Sequence, residues 1–228
     1  MAIDFLDAVK YPFSSKENII NLLIGSVMNI VWWLLLPGIL VLGYVVRFAE
    51  NTLQGNPNMP VWNTWLSLKD NIKKGFSVLA IVILYILLPF LIIQAALFFS
   101  GVDTELASEG VQDVSAVTLS FVSVGVVLIA VVLFLLPMAL MEYVSTGRIT
   151  DAFNLGDIFS RITLNFLSYF VTHLVVFAFF VITVLMISLP FINMISGALL
   201  FIVMIFATRI YAKLFAGSQA TSKYPVRY

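Results

Sequence analysis

The residues from Ile162 to Thr208 form a run of 47 residues that contains no Asp, Glu, Lys or Arg. A bilayer-spanning helix needs about 20 consecutive apolar residues, so this run holds two spans, one after the other. The segment Ser188-Leu189-Pro190 near its middle is the expected turn between them. The run predicts an integral membrane protein, because a core helix of a soluble domain is only about half as long.

Three further segments repeat this pattern: Ile19 to Val46, Gly75 to Val102 and Val114 to Met141 are free of charge over 28 residues each. The whole chain is 61% hydrophobic and only 11% charged, whereas globular domains are about half apolar and about one quarter charged. We therefore predict an all-α integral membrane protein with about five transmembrane helices. Residues 1–215 are expected to form a single transmembrane domain, followed by a polar C-terminal tail over 216–228.

Shorter amphipathic helices are predicted beside these spans. One is the N-terminal segment Ala2 to Phe13, and two others are interfacial helices on the cytoplasmic side. From Val61 to Phe76, apolar residues follow helical spacing along one face, which is typical of a helix in the headgroup layer. Thr150 to Thr163 has a weaker pattern of the same kind. The expected interfacial anchors are Trp62, Trp65, Lys69, Lys73 and Lys74.

The distribution of basic residues predicts the orientation. If five helices cross, ten of the twelve Lys and Arg residues fall on one side, and only Lys10 and Lys16 fall on the other. The loop from Gly101 to Ser115 has no basic residue and carries four acids. We expect a protein of the cell membrane with a cytoplasmic C-terminus and an N-terminus outside.

The first apolar segment has two possible arrangements. Pro37-Gly38 lies in its middle, and proline breaks the hydrogen bonding of a helix interior. Trp32 and Trp33 suit a membrane interface better than a bilayer centre. A kinked crossing is the favoured interpretation. A re-entrant hairpin, which would put the N-terminus on the cytoplasmic side, stays open as the alternative.

The two halves of the chain share a plan, with Leu-Leu-Pro, a later tyrosine, a polar stretch and a further span in each. Residues 17–100 and 115–190 are the predicted halves of a parallel repeat, and 191–214 is an added span. The alternative is that two helix pairs with cytoplasmic linkers look alike without duplication.

Three stretches carry a resemblance to a known family: Ala8 to Ser26, Leu42 to Phe76 and Gly147 to Asn165. With these stretches the chain resembles domain of unknown function 4013, an uncharacterised prokaryotic family of multi-pass membrane proteins. The residues that carry the resemblance most specifically are Gly43, Tyr44, Arg47, Gly55, Pro60, Trp62 and Asp70. The resemblance implies a multi-pass fold and a prokaryotic cell membrane, and it implies no activity.

Polar residues inside the spans are the candidate functional residues, because such groups are costly in a bilayer. They are His173, Glu142, Arg209, Asn29 and Gln94. His173 is either a structural hydrogen-bonding group or part of a proton or ligand path. Glu142 and Arg209 either pair or extend separately to the interface. Asn29 and Gln94 are expected to hold helices together.

Catalytic and cofactor chemistry has little support. The chain has no cysteine, which excludes thiol catalysis, disulfides and iron–sulfur ligation, and no enzyme motif is present. The acids of the outer loop, Asp103, Glu105, Glu109 and Asp113, fit a solvated loop better than a divalent-cation site. A net charge of zero gives no electrostatic support for nucleic-acid binding. We predict no enzyme activity, no cofactor and no metal.

The leading hypothesis is a non-catalytic membrane protein that packs against another membrane protein as an accessory, structural or assembly subunit. The expected partners are membrane lipid and another membrane protein or a second copy of the chain. The alternative is a small transporter or lipid-moving protein with a polar path at the repeat interface. A shared groove lined by Asn29, His173, Gln94 and Glu142 would favour transport.

Overall fold

A computed structural model describes residues 5–56, 58–62, 64–100, 116–187 and 193–221 of the protein. Within these ranges the chain forms eight α-helices and no strand, which confirms the predicted all-α membrane fold. Four of the eight, α4, α5, α7 and α8, are long and apolar enough to cross a membrane. The helices are α1 (Phe5–Lys10), α2 (Lys16–Ile30), α3 (Leu36–Leu53), α4 (Trp65–Ser100), α5 (Ala116–Thr146), α6 (Leu155–Leu164), α7 (Phe166–Ile187) and α8 (Asn193–Thr221).

The first apolar segment is not the kinked crossing that we favoured from the sequence. It forms two helices, α2 and α3, joined by a short 3-10 turn over Trp32–Leu34. The rings of Tyr11, before α2, and Phe48, near the end of α3, lie 5.8 Å apart. Residues so far apart in sequence would lie at opposite ends of one crossing helix. The two helices therefore run antiparallel as a hairpin, and the expected five crossing helices become four long apolar helices plus this hairpin.

The described part of the predicted N-terminal helix is helical, and it lies beside the end of α8. α1 covers Phe5–Lys10, and a 3-10 turn continues it to Phe13. The Asp7 carboxylate pairs with Arg209 near the end of α8, with 3.0 Å between Oδ2 and the Arg209 Nη2. This contact is incompatible with our prediction that the N-terminus and the end of the last span lie on opposite sides of a bilayer.

The two predicted interfacial helices have different outcomes. Thr150 to Thr163 forms a 3-10 turn and the separate short helix α6, which buries Ile158, Arg161 and Ile162. Val61 to Phe76 is not a separate helix, because its residues from Trp65 onward are the beginning of the 36-residue α4. The apolar periodicity was real, but no break separates it from the following span.

The chain divides into two compact units: unit 1 comprises residues 1–79 and 138–228, and unit 2 comprises 80–137. The core of unit 1 gathers on α8, where 56% of the most apolar stretch is buried. Tyr44, Phe48, Phe201 and Ile205 are fully buried in that core. In unit 2, Gly125 of α5 lies against Ile93 of α4 so closely that a Cβ would overlap that side chain.

The internal repeat stays a prediction, but its two Leu-Leu-Pro segments occupy different structural positions. Pro37 lies in the first turn of α3, where its missing N–H costs nothing. Pro137 lies in the interior of α5.

Candidate functional site

Most of the seven residues that carry the family resemblance lie together in unit 1, where α3 packs on the first turns of α4. Gly43 allows this contact, because a Cβ there would overlap the backbone of Asn71. One residue later, the Tyr44 ring stacks on Trp62 with centroids 4.2 Å apart and planes nearly parallel. The Arg47 guanidinium donates to the Asn71 side-chain oxygen at 3.2 Å. We call this set of five residues the signature cluster.

Ion pairs extend the signature cluster along the same helices. Lys74 of α4 lies 2.6 Å from a Glu50 carboxylate oxygen and 2.8 Å from Asp70. The Arg47 Nε lies 3.7 Å from the same Asp70 carboxylate. Two cations and two anions therefore balance one another between α3 and α4. The arrangement positions helices, and it leaves no unbalanced charge that would recruit a ligand.

Two buried polar atoms in the signature cluster have no hydrogen-bond partner among the described residues. They are the Tyr44 hydroxyl and the Asn71 side-chain nitrogen. Both residues are fully buried, so a ligand from solvent has no direct access to them. Buried polar groups of this kind commonly hold an internal water.

A second charged group fixes α1 against the end of α8. Arg209 and Lys213 both donate to Asp7, and the Arg209 guanidinium lies 3.5 Å above the centre of the Tyr11 ring. The hydrogen bond from Lys213, together with those from Arg209, holds the pKa of the Asp7 carboxyl below its ordinary value despite partial burial. Arg209 is therefore an anchor for the N-terminal helix.

Glu142 pairs with Arg161 of α6, and not with Arg209 as we considered from the sequence. Both side chains are almost fully buried, at 4% and 5% exposure. The Arg161 guanidinium also lies 4.3 Å from the centre of the Phe215 ring of α8, and its Nη1 has no hydrogen-bond partner in the part of the chain that the structure describes. The short helix α6, which follows α5, therefore supplies the partner of Glu142.

Three of the candidate intramembrane residues have separate partners in unit 1. The Asn29 amide donates to the backbone oxygen of Gly197 at 2.7 Å and joins α2 to α8. The His173 Nδ1 lies 3.1 Å from the Tyr211 hydroxyl and joins α7 to α8. With Glu142 on Arg161, these three residues have three different partners, and no contact among the three is described.

Gln94 differs from the other candidates. It lies in unit 2, near the end of the apolar stretch of α4, and its side chain is exposed. No hydrogen bond to it occurs among the described residues. Its neighbours on the same helix, Leu91 and Phe98, are exposed by 53% and 81%. The amide therefore lies on an otherwise apolar outer face.

The predicted interfacial anchors divide into two groups. Trp65 is 82% exposed, and Lys69 and Lys73 are exposed beside it, so an anchoring role stays a prediction for these three. Trp62 is instead buried, with its indole N–H donating to the Asn21 backbone oxygen at 3.1 Å. Lys74 is held in its ion pairs.

The polar face of α2 is a feature that we did not predict from the sequence. Asn18, Asn21, Gly25 and Asn29 all lie on the buried side of this helix. The Asn18 side-chain oxygen accepts a hydrogen bond from the backbone N–H of Met59 at 3.2 Å. Gly25 lies so close to Phe201 that a Cβ there would overlap the ring. Their spacing of three and four residues was the available signal. The polar face packs inward, as expected when the surrounding medium is apolar.

Several predicted features lie outside the described residues, namely the four acids of the outer loop, the turn at 188–190 and most of the polar tail.

Comparison with known proteins gives one match. The family model described as "Protein of unknown function (DUF4013)" matches residues 26–192, which includes the whole signature cluster. Neither a curated protein nor a solved structure matches the chain. The protein thus belongs to the DUF4013 family.

Proposed function

We propose that this protein is a non-catalytic membrane subunit that packs against another membrane protein in an accessory, structural or assembly role. The observation that carries the proposal is the exposed Gln94 amide in the apolar stretch of α4. A primary amide has two N–H donors and a carbonyl acceptor, and hydrocarbon offers no partner to any of them. A helix of a neighbouring protein that supplies these partners would remove the cost.

The other intramembrane polar groups support the same proposal by contrast. Asn29, His173 and Glu142 each have a partner within unit 1. Gln94 is the candidate whose hydrogen-bonding capacity is left for another molecule. Its apolar surroundings, Leu91 and Phe98, would pack against the partner helix around the amide.

We further propose that the basic end of unit 1 faces the cytoplasm of a prokaryotic cell. All twelve basic residues of the chain lie outside Ala80–Pro137. Because α1 contacts the end of α8, Lys10 and Lys16 join the other basic residues on one side, and the positive-inside bias becomes stronger than the sequence analysis assumed.

The experiment is native mass spectrometry of the protein purified from its own membranes in mild detergent. We expect a stoichiometric companion with the wild-type chain. Gln94→Leu should weaken the association about three- to fifteen-fold, which corresponds to one hydrogen bond between membrane helices. Gln54→Leu is the matched control, because it makes the same change in an exposed residue that follows α3.

Two results would count against the proposal. A wild-type protein that is always isolated alone would exclude the subunit role. A companion retained equally by wild type and by Gln94→Leu would show that the contact lies elsewhere on the chain.

A further inference from the structure

The turn between α2 and α3 has an unusual surface. Its five consecutive residues, Trp32 to Leu36, are all apolar, and each is between 51% and 73% exposed. Turns that face water normally contain Gly, Asn, Asp or Ser. This turn contains none of them, and an exposed apolar patch of this kind marks a contact with another apolar phase.

Part of the backbone of the turn is hydrogen-bonded within the turn itself. Leu34 N–H donates to Val31 O at 3.0 Å, and Leu35 N–H donates to Trp32 O at 3.0 Å. Ile39 N–H then donates to Leu35 O at 2.9 Å, and Pro37 has no N–H to satisfy. Leu35 accepts a left-handed φ of 57° to close the turn. Each of these hydrogen bonds lowers the cost of placing non-helical backbone in an apolar medium, where an unpaired polar group is expensive.

The outer side of the hairpin exposes apolar side chains, as its tip does. Ile20, Leu23 and Val27 of α2 are exposed by 55%, 60% and 62%, while the asparagines of the same helix face inward. A hairpin in water would have the reverse arrangement. The outer surface of α2 therefore matches acyl chains along its length.

Both arms are too short to cross a bilayer. The charge-free part of α2 runs from Asn18 to Ile30, and that of α3 from Leu36 to Val46. At 1.5 Å per residue these arms are about 20 and 17 Å long, against about 30 Å of hydrocarbon. Lys16 and Glu17 at the start of α2, and Arg47 and Glu50 in α3, mark the polar end of the hairpin.

We propose that α2 and α3 form a re-entrant hairpin that enters the bilayer from the side of the basic end of unit 1 and returns to it. The tip, Trp32 to Leu36, binds the acyl chains of membrane lipids and does not reach water on the far side. This inference does not depend on the proposed partner at Gln94.

The absence of cysteine from the chain makes a direct test possible. Single cysteines are introduced at Ser14, Gln54 and Leu34, which precede α2, follow α3 and lie at the tip. Thr150→Cys, in unit 1 before α6, reports the basic side, and Ser108→Cys reports the predicted opposite side. Each variant is treated with a membrane-impermeant maleimide in right-side-out and in inverted vesicles, and again after solubilisation in SDS.

We expect Ser14→Cys and Gln54→Cys to react from the same side as Thr150→Cys. Leu34→Cys should react from neither side until SDS is added. Reaction of Leu34→Cys from the side of Ser108→Cys would overturn the proposal and show that the hairpin crosses twice. Reaction of Ser14→Cys and Gln54→Cys from opposite sides would overturn it in favour of a single crossing.

A second cysteine position at the tip controls for a local effect of the Leu34→Cys substitution on the labelling. Trp33→Cys should behave like Leu34→Cys, and a nitroxide attached there should be relaxed by dissolved oxygen and protected from a water-soluble nickel chelate. Free access of the chelate to both tip positions in a folded variant would also overturn the proposal.

Discussion

The helices of unit 1 and of unit 2 are held together by different means. In unit 1, amide, imidazole and charged side chains join the helices, as with Asn29 on Gly197 and Glu142 on Arg161. The described residues of unit 2 contain no charged side chain, and a glycine contact between Gly125 and Ile93 holds α4 to α5. Apolar side chains gain little from each other in lipid, because the acyl chains are equally apolar. Polar contacts between helices therefore give unit 1 its specific packing, while the described part of unit 2 has an apolar outer surface that carries the exposed Gln94 amide.

The largest test of this comparison concerns the buried ion pair of unit 1, which has no counterpart in unit 2. Glu142→Leu should lower the free energy of unfolding by about 3–5 kcal/mol, because it leaves Arg161 buried without its anion. The double variant Glu142→Leu/Arg161→Met should recover most of that loss, since it removes both charges. The measurement is SDS-induced unfolding in mixed micelles. Equal losses in the single and double variants would mean that the pair itself is not what stabilises this contact.

Two of the close glycine contacts, one in each unit, provide a matched pair of substitutions. Gly43→Ala in unit 1 places a methyl group against the Asn71 backbone, which cannot move without separating α3 from α4. We expect a loss of about 1–3 kcal/mol or more. Gly125→Ala in unit 2 meets the Cγ1 and Cδ1 atoms of Ile93, which can move by a change of rotamer, and it should cost less than Gly43→Ala, about 1 kcal/mol. The same unfolding assay compares them. Equal costs would show that unit 2 packs as rigidly as unit 1.

The comparison also explains which features could be predicted from the sequence. The length of each run without charged residues predicted the long helices, because a helix that is exposed to lipid must be free of charge over its whole membrane-spanning length. Hydropathy could not predict the hairpin, because a turn that lies in lipid is as apolar as the helices it joins. Trp62 was expected at the interface for its amphipathic ring, but its N–H finds the Asn21 oxygen in the interior. The partner of Glu142 depends on how α6 turns back, which no local pattern specifies.

A smaller effect is expected from single amides. Asn29→Leu should destabilise the fold by about 0.6–1.7 kcal/mol, the range measured for hydrogen bonds between membrane helices, because the bond to Gly197 O is lost. Gln94→Leu, in unit 2, should leave the unfolding free energy of the isolated chain unchanged or slightly raised, because it removes no hydrogen bond within the described structure. Chemical denaturation of both variants against wild type is the measurement. If Gln94→Leu lowered the free energy of unfolding as much as Asn29→Leu, the two units would not differ in how polar side chains hold their helices together.

The smallest effect is a pH dependence that belongs to unit 1 alone. Hydrogen bonds from Lys213 and Arg209 lower the pKa of Asp7 in the folded protein below its ordinary value of 3.8. The ionised carboxylate therefore stabilises the fold above that pH, and the contribution is lost as the pH falls through the folded-state pKa. Asp7 is partly exposed, so the effect should stay below about 1 kcal/mol. The measurement is the difference in unfolding free energy between wild type and Asp7→Asn, followed from pH 6 to pH 3. The difference should shrink below about pH 4 as Asp7 is protonated, and a difference that stays constant over this range would show that the charge of Asp7 does not hold α1 to α8.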